Sequence, residues 1–141
     1  MTKTNIIRDD GSPSPTLNPG SAAEWRRATT SQRSMLLEGP EASTEAVLLV
    51  LAPYLREPVT WKRRGAPLEL PPGECGTLIV QNLAGLDRHD QARLLGWLND
   101  PEHRTQVVST TAYPVFPLVD CRVFDATLYY RLNVVRFSVG H

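Results

Sequence analysis

The stretch GTLIVQNLAGL, residues 76–86, decides the fold because it joins a buried strand to a polar end. Residues 78–80 are a continuous apolar run, which is typical of a strand covered on both faces of a sheet. The run ends at Gln81 and Asn82, and the carboxyl end of a strand is where α/β proteins usually place their chemistry. Side-chain amides are not general bases near neutral pH, and they bind Mg²⁺ less well than carboxylates do. The stretch therefore predicts a catalytic position that lacks catalytic groups.

The segment before this stretch predicts a strand, a turn and a helix. Residues 35–37 are a short apolar run, and Gly39 with the proline that follows it forces a turn. Ser43 or Thr44 can cap the next helix, in which apolar residues recur at helical spacing. A further short strand is predicted at 59–61, before a loop rich in glycine and proline.

The segment after the stretch continues this alternation of strands and helices. Asp87 can cap a helix over residues 88–98, and a strand is predicted at 105–111. Residues 124–132 are a further helical candidate, and residues 133–139 form a last strand. This order predicts an α/β protein with a mostly parallel sheet flanked by helices. Right-handed crossovers then bring the carboxyl ends of the strands together at one edge of the sheet.

The composition favours one globular domain and argues against two classes of function. A chain of 141 residues can bury a modest core. The 15 Lys and Arg residues balance the 15 Asp and Glu residues, so the chain lacks the strongly basic character of many nucleic-acid-binding domains. No apolar run approaches the length of a membrane span, and the N terminus has no signal-peptide core. We therefore expect a cytoplasmic protein without membrane contacts.

The N-terminal residues differ in composition from the rest of the chain. Residues 1–22 are rich in Pro, Ser, Gly, Asn and Asp, which predicts a flexible polar arm. Two interpretations of this arm are open, a docking tail and a plain solvated tail. Residues 23–141 are then the α/β domain.

The cysteines and histidines predict neither a disulfide nor a metal site. Cys75 and Cys121 lie far apart in the sequence, and we expect two reduced thiols in or near the core. The three histidines show no ligand spacing with one another or with the cysteines. We therefore expect no bound metal.

Two longer segments resemble a known family. CGTLIVQNLAGLDRHDQARLLGWLND, residues 75–100, and TLYYRLNVVRFSV, residues 127–139, are similar to the AAA+ ATPase domain of the sigma-54-dependent transcription activators. Members of that family have GGTLFLDEI, a helix with the pattern QxxLLRxLQ and, later, FRxDLYYRLNVV. The stretch LYYRLNVV matches almost verbatim, and the resemblance covers roughly residues 34–139 with a shortened middle. It implies a P-loop NTPase-like α/β fold.

The nucleotide-binding loop of that family does not carry over to this sequence. Its Walker A pattern GESGTGKE corresponds to GPEASTEA, residues 39–46, in which only Gly39 is kept. Thr44, next to Ser43, stands where the second glycine is expected, and Glu45 stands where the phosphate-binding lysine is expected. The reversed charge disfavours a triphosphate by on the order of a few kcal/mol at intermediate dielectric.

The hydrolytic residues of that family are replaced as well. Its Walker B strand ends in Asp-Glu, where the Asp holds Mg²⁺ and the Glu polarises the attacking water, and here these positions are Gln81 and Asn82. The polar residue of its sensor I corresponds to Ala112. Together the replacements imply that ATP hydrolysis is lost, and no cofactor is expected.

One charged element of the family is kept at Arg131. The corresponding arginine acts as a finger on the nucleotide of a neighbouring subunit, so Arg131 could complete a site in a partner ring. The other interpretation, which we favour, is a surface or capping arginine that belongs to the local packing. The second arginine of the FRxD pattern is Asp125 here.

The family's partner-binding elements are not found in this sequence. The corresponding segment, residues 55–74, contains no GAFTGA loop, so a direct contact with sigma-54 is not supported. Its basic run KRRGA, residues 62–66, could contact phosphate or an acidic partner, although a solvated loop is the interpretation we favour. We also expect that the lid subdomain and any DNA-binding domain are missing.

The combined replacements at Glu45, Gln81 and Asn82 predict the function. We expect a catalytically inactive AAA+-like domain that acts as a regulatory or protein-interaction module in transcription control. Its partner would be a protein, with an AAA+ homologue as one candidate. Three alternatives are open: residual ATP binding with weak hydrolysis in a mixed ring that uses Arg131, a scaffold for the N-terminal arm, and a product without a selected function.

Overall fold

The computed structural model describes residues 4–8, 13–17, 33–73 and 76–139. Its strands are β1 (Thr4–Arg8), β2 (Pro13–Leu17), β3 (Met35–Glu38), β4 (Val59–Lys62), β5 (Thr77–Val80), β6 (Gln106–Thr111) and β7 (Val135–Val139). They form one sheet in the order β2-β1-β7-β3-β6-β5-β4. The strands β7, β3, β6, β5 and β4 are parallel to one another. This confirms the predicted α/β class with a mostly parallel sheet.

Four helices accompany these strands in the described ranges. They are α1 (Glu41–Leu51), α2 (Arg88–Leu98), α3 (Phe116–Asp120) and α4 (Ala126–Leu132), and short 3₁₀ turns lie at Ala52–Tyr54 and Leu83–Gly85. The predicted helix over 88–98 is confirmed with its cap, since the Asp87 carboxylate accepts a hydrogen bond from the Asp90 amide at 2.8 Å. None of the described helices is long and apolar enough to cross a membrane.

The N-terminal strands extend the sheet beyond β7. The strand β1 pairs antiparallel with β7, and β2 pairs antiparallel with β1. The structure therefore differs here from the predicted flexible arm over residues 1–22, because β7 would otherwise present a row of unpaired backbone groups to which an extended segment can bind. Residues 1–3, 9–12 and 18–22 of that arm lie outside the described residues.

The apolar core is divided into two layers by the sheet. On one face, Met35 and Leu37 of β3 pack with Leu48 and other residues of α1. On the other face, Leu36 packs with Leu94 of α2 and with residues of α4. Successive side chains of a strand point to opposite faces, so the buried strands β3, β5 and β6 contribute apolar side chains to both layers.

The segment around α3 corrects one sequence prediction. The prediction that Cys121 lies in or near the core is wrong, because Cys121 directly follows the short helix α3 and is exposed as a free thiol. The sequence pattern did not predict α3, whose five residues are too few for a clear helical period. The second cysteine, Cys75, lies outside the described residues.

Candidate functional site

The carboxyl ends of β3, β5 and β6 meet at one edge of the sheet, as the sequence predicts. The amide of Gly39, after β3, donates to the carbonyl oxygen of Thr111 at 3.0 Å. The amide of Asn82, after β5, donates to the Thr110 hydroxyl at 3.1 Å. Gly39, Gln81 and Asn82 are thereby brought to the end of the same central strand.

A small cavity lies at this edge, and we call it the strand-end cavity. Its volume is about 20 Å³, and its lining residues are Glu41, Thr44, Arg64, Gln81, Asn82, Thr110 and Ala112. A space of that size holds about one water molecule. Sites that enclose a ligand of nucleotide size usually measure roughly 300–1,000 Å³. In this conformation, the position that corresponds to a nucleotide site is nearly filled by the protein.

The start of α1 lacks the side-chain cap that the sequence predicts. The helix begins at Glu41, directly after Pro40, and no side chain caps it. The prediction that Ser43 or Thr44 caps the helix is therefore wrong, because both residues lie within its first turn. The Thr44 hydroxyl instead donates to the carbonyl oxygen of Glu41 at 3.0 Å, and Ser43 is half-buried and does not line the cavity.

Two arginines from the loop after β4 balance the acidic residues of α1. The Arg64 guanidinium lies 2.7 Å from the Glu41 carboxylate, and the Arg63 guanidinium lies 3.6 Å from the Glu45 carboxylate. Arg63 also lies over the ring of Trp61 at 4.3 Å from its centroid. The basic run that we predicted as a solvated loop thus contacts the residue that replaces the phosphate-binding lysine.

Two features of the sequence agree with this arrangement, but the order of residues along the chain does not show that they meet. Glu41 and Glu45 are four residues apart, which places both carboxylates on one face of a helix. The basic run at 62–64 lies about 20 residues further along the chain, and only the parallel pairing of β4 with β5 brings it back to α1.

The packing of the sheet requires a glycine at position 39, whether or not the protein binds phosphate. A Cβ atom at this position would overlap the carbonyl oxygen of Val139 in β7. The backbones at the ends of β3 and β7 therefore approach too closely for any residue with a side chain. The glycine is explained by the sheet itself.

Asn82 also has a local reason that is independent of catalysis. Its backbone is left-handed, with φ 60° and ψ 63°, at the start of the 3₁₀ turn Leu83–Gly85. Asparagine adopts this conformation more readily than other residues with side chains, because its short amide can hydrogen-bond locally. Asparagine at position 82 thus suits the turn in which it lies.

The groups that line the strand-end cavity do not fit a magnesium–triphosphate site. Mg²⁺ prefers carboxylate and phosphate oxygens in octahedral geometry, whereas Gln81 and Asn82 supply amides and Ala112 supplies only a methyl group. The cavity carboxylate, Glu41, bonds to Arg64. Within residues 33–73 and 76–139, no three His, Cys, Asp or Glu side chains come together as metal ligands could.

Arg131 lies away from the strand-end cavity. Its guanidinium donates to the side-chain oxygen of Asn99 and, at 2.8 Å, to the carbonyl oxygen of Leu98. Both acceptors belong to the C-terminal end of α2, where a cation is favoured by the helix dipole and by unpaired carbonyl groups. The side chain is exposed, and its contacts within this chain are those of a capping arginine.

Comparisons with known proteins agree with this fold. The family described as the sigma-54 interaction domain matches residues 67–141. Among curated protein sequences, none matches this chain.

Solved structures of NtrX from Brucella abortus are similar in fold. The structure in complex with ATP has a TM-score of 0.66 at 18% identity and covers 89% of this chain. The structure in complex with ADP has a TM-score of 0.65 at 17% identity and covers 82% of this chain. The chain spans only 38% and 34% of those two proteins, respectively. The likeness confirms a P-loop NTPase-like fold of the AAA+ type.

Proposed function

Because the chain belongs to the sigma-54 interaction domain family, we propose that it is a catalytically inactive AAA+ domain that works by binding another protein in transcription control. The observation that carries the proposal is the ion pair between Glu41 and Arg64 at the strand-end cavity, at 2.7 Å. It joins two side chains of the protein where the family resemblance would place the phosphates of a nucleotide.

The charges at this site support the proposal independently of the cavity volume. Nucleotide phosphates are stabilised by positive groups at the start of a helix. Here the first turn of α1 carries Glu41, and Glu45 follows one turn later. A triphosphate would have to displace Arg63 and Arg64 from these carboxylates or lie beside uncompensated negative charge.

Calorimetric titration of the purified chain with ATP and ADP, with and without Mg²⁺, tests the proposal. We expect no binding at millimolar nucleotide, and an intact homologous ATPase serves as the positive control for the assay. We expect the same result for Arg64→Ala, because removing the guanidinium leaves Glu41, Glu45 and the two strand-end amides in place. Micromolar binding by the unmodified chain, or hydrolysis above a matched blank, would contradict the proposal.

A second candidate function rests on the exposure of Arg131. In it, the chain joins a mixed ring and contributes this guanidinium to the nucleotide site of an intact homologue. It predicts that the chain stimulates such an ATPase, that Arg131→Lys loses most of the stimulation, and that Arg104→Lys, an exposed control, keeps it. The contacts of Arg131 with α2 favour the first proposal, since the guanidinium would have to leave Asn99 and Leu98.

A further inference from the structure

A second concave region lies beside α2, and we call it the α2 groove. Its volume is about 580 Å³, and its walls are one side of α2 and the segment from the end of α3 to the start of α4. The lining residues that matter here are Arg88, Ala92, Leu95, Gly96, Arg122 and Val123. None of them belongs to the strand-end cavity.

The α2 wall has the shape that an approaching helix requires. Arg88, Ala92 and Gly96 are each four residues apart, so they form one straight row along the helix. From Arg88 to Asn99, the residue that follows the last residue of α2, the groove follows roughly 16 Å of helix. Ala92 and Gly96 are exposed in the middle of this row, and small residues there allow a second backbone to come close.

No neighbouring group in the described part of the chain requires a glycine at position 96. A Cβ atom at this position would meet nothing within 4 Å. Glycine inside a helix is less favourable than alanine, so a helical glycine with open space above it is unexplained by the fold. Close contact with another molecule explains both the glycine and the open space.

The α2 groove is cationic, in contrast to the strand-end cavity. The Arg88 guanidinium donates to the carbonyl oxygen of Arg122 at 2.5 Å. Among the described residues, neither Arg88 nor Arg122 forms an ion pair with a carboxylate, whereas Arg63 and Arg64 do. Asp125 also lines the groove, but its carboxylate accepts the Leu128 amide at 2.8 Å and caps α4.

The groove also has an apolar floor and walls that are held in place. Leu95 and Val123 line it, and Val123 is 49% exposed. The side chain of Gln91, only 4% exposed, donates to the carbonyl oxygens of Leu86 and Val123 and accepts from the Asp125 amide. These bonds join α2 to the opposite wall, so the groove exists before any partner binds.

We propose that the α2 groove binds an acidic amphipathic helix of a partner protein. Its apolar stripe would lie on Leu95 and Val123, its backbone would pass over Ala92 and Gly96, and its carboxylates would pair with Arg88 and Arg122. A groove of helical length with exposed apolar side chains suits this mode of recognition. The inference rests on the proposed function in one respect, since it takes protein binding as the role of the domain.

The test uses the full chain and a display library of helical peptides of about 15 residues, which is long enough for the groove. Each peptide carries leucine at every third or fourth position and glutamate beside this stripe, and a matched library has lysine in place of glutamate. We expect binders with dissociation constants on the order of 10 µM from the glutamate library and none from the lysine library. Arg88→Ala with Arg122→Ala should weaken binding at least about tenfold.

Gly96→Trp is the variant that fills the groove, and the open space above Gly96 allows the fold to accept it. The matched control is Ala46→Trp on the exposed face of α1. We expect Gly96→Trp to abolish peptide binding and Ala46→Trp to change it by less than about twofold, while both keep the wild-type circular dichroism spectrum.

Four outcomes would overturn the inference: no binders, equal binding from both libraries, binding that survives Gly96→Trp, and self-association of the chain that Gly96→Trp abolishes. The last outcome would assign the groove to a second copy of this chain. These outcomes are distinct from failure of the proposed function, because nucleotide titration does not involve the groove. A chain that bound both ATP and the acidic peptides would contradict catalytic inactivity and support the groove.

Discussion

The strand-end cavity and the α2 groove use their arginines in opposite ways. At the cavity, Arg64 is bonded to Glu41 within the chain, and the remaining space is about 20 Å³. At the groove, Arg88 and Arg122 have no carboxylate partner among the described residues, and the space is about 580 Å³. The region that corresponds to the family's Walker motifs holds a small cavity with paired charges. The groove, which Asp125 of the FRxD position also lines, is larger, and its arginines lack carboxylate partners among the described residues.

Residues near the cavity have explanations within the fold. Gly39 packs against β7, and Asn82 forms a left-handed turn. At the groove, Gly96 has open space above it, and the Arg122 side chain has no carboxylate partner among the described residues. We therefore compare the surroundings of the two regions by measuring pairs of variants.

The largest difference in stability is expected between the variants Gln91→Leu and Gln81→Leu. Gln91→Leu leaves two carbonyl groups and one amide of the buried or partly buried groove wall without partners, so it should lower the free energy of unfolding by about 3 kcal/mol. Gln81→Leu at the cavity should cost less than about 1 kcal/mol, because no hydrogen bond of its side chain is found among the described residues. Urea denaturation of the two variants measures this pair. Equal costs would mean that Gln91 does not hold the groove walls.

The next largest difference in stability is expected between the variants Gly39→Ala and Gly96→Ala. Gly39→Ala should cost about 2 kcal/mol, because the new Cβ atom overlaps the Val139 carbonyl oxygen. Gly96→Ala should instead raise stability by up to about 1 kcal/mol, because alanine favours the helix and its Cβ enters open space. Thermal unfolding followed by circular dichroism shows whether each variant gains or loses stability. A loss of stability in Gly96→Ala would show that this glycine has a role inside the chain.

A smaller difference in stability is expected between the variants Arg131→Ala and Arg64→Ala. Arg131→Ala should lower the free energy of unfolding by about 1 kcal/mol, because its guanidinium bonds the C-terminal end of α2. Arg64→Ala should change it by less than about 0.5 kcal/mol, because both members of its ion pair are more than half exposed. Denaturant titrations at low and at 0.5 M salt measure both values, and the Arg64 effect should vanish at high salt. An Arg131→Ala protein as stable as wild type would leave its capping role unsupported.

The smallest effect concerns pH and one histidine near the end of α2. Burial lowers the pKa of His103 below its ordinary value of 6.5, and the charge of Arg131 lowers it further, against opposing effects of Thr105 and Asp100. Between the lowered pKa and 6.5 the unfolded chain binds more protons, so stability rises with pH in that window.

Urea midpoints measured from pH 7.5 down to 5.5 test this effect. We expect the midpoint of the unmodified chain to fall as the pH is lowered through 6.5. The fall should be smaller in His103→Gln. In His89→Gln, which replaces an exposed histidine, it should be as large as in the unmodified chain. An identical fall in both variants would mean that His103 is not the group responsible.

Much of the fold could be predicted from the sequence, because the relevant information is local. The apolar run at 78–80 and the helical spacing over 88–98 each indicate one element, and both are confirmed. The start of α1 was misplaced because Ser43 and Thr44 are good caps in isolation, while Pro40 begins the helix earlier. The strands at 4–8 and 13–17 were not predicted because their composition is that of a polar arm, and the pairing of β1 with β7 and of β2 with β1 outweighs it.

The sequence by itself determined the α/β class and the family, and it predicted the replacement of nucleotide-site residues at Glu45, Gln81 and Asn82. Motif order and hydrophobic period are properties of neighbouring residues along the chain, and they survive without any knowledge of distant contacts. Only the tertiary structure decided that Arg64 pairs with Glu41 while Arg88 and Arg122 remain without carboxylate partners in the described chain. The physical reason is that charges far apart in sequence interact only at the short distances that the sheet and its crossovers impose.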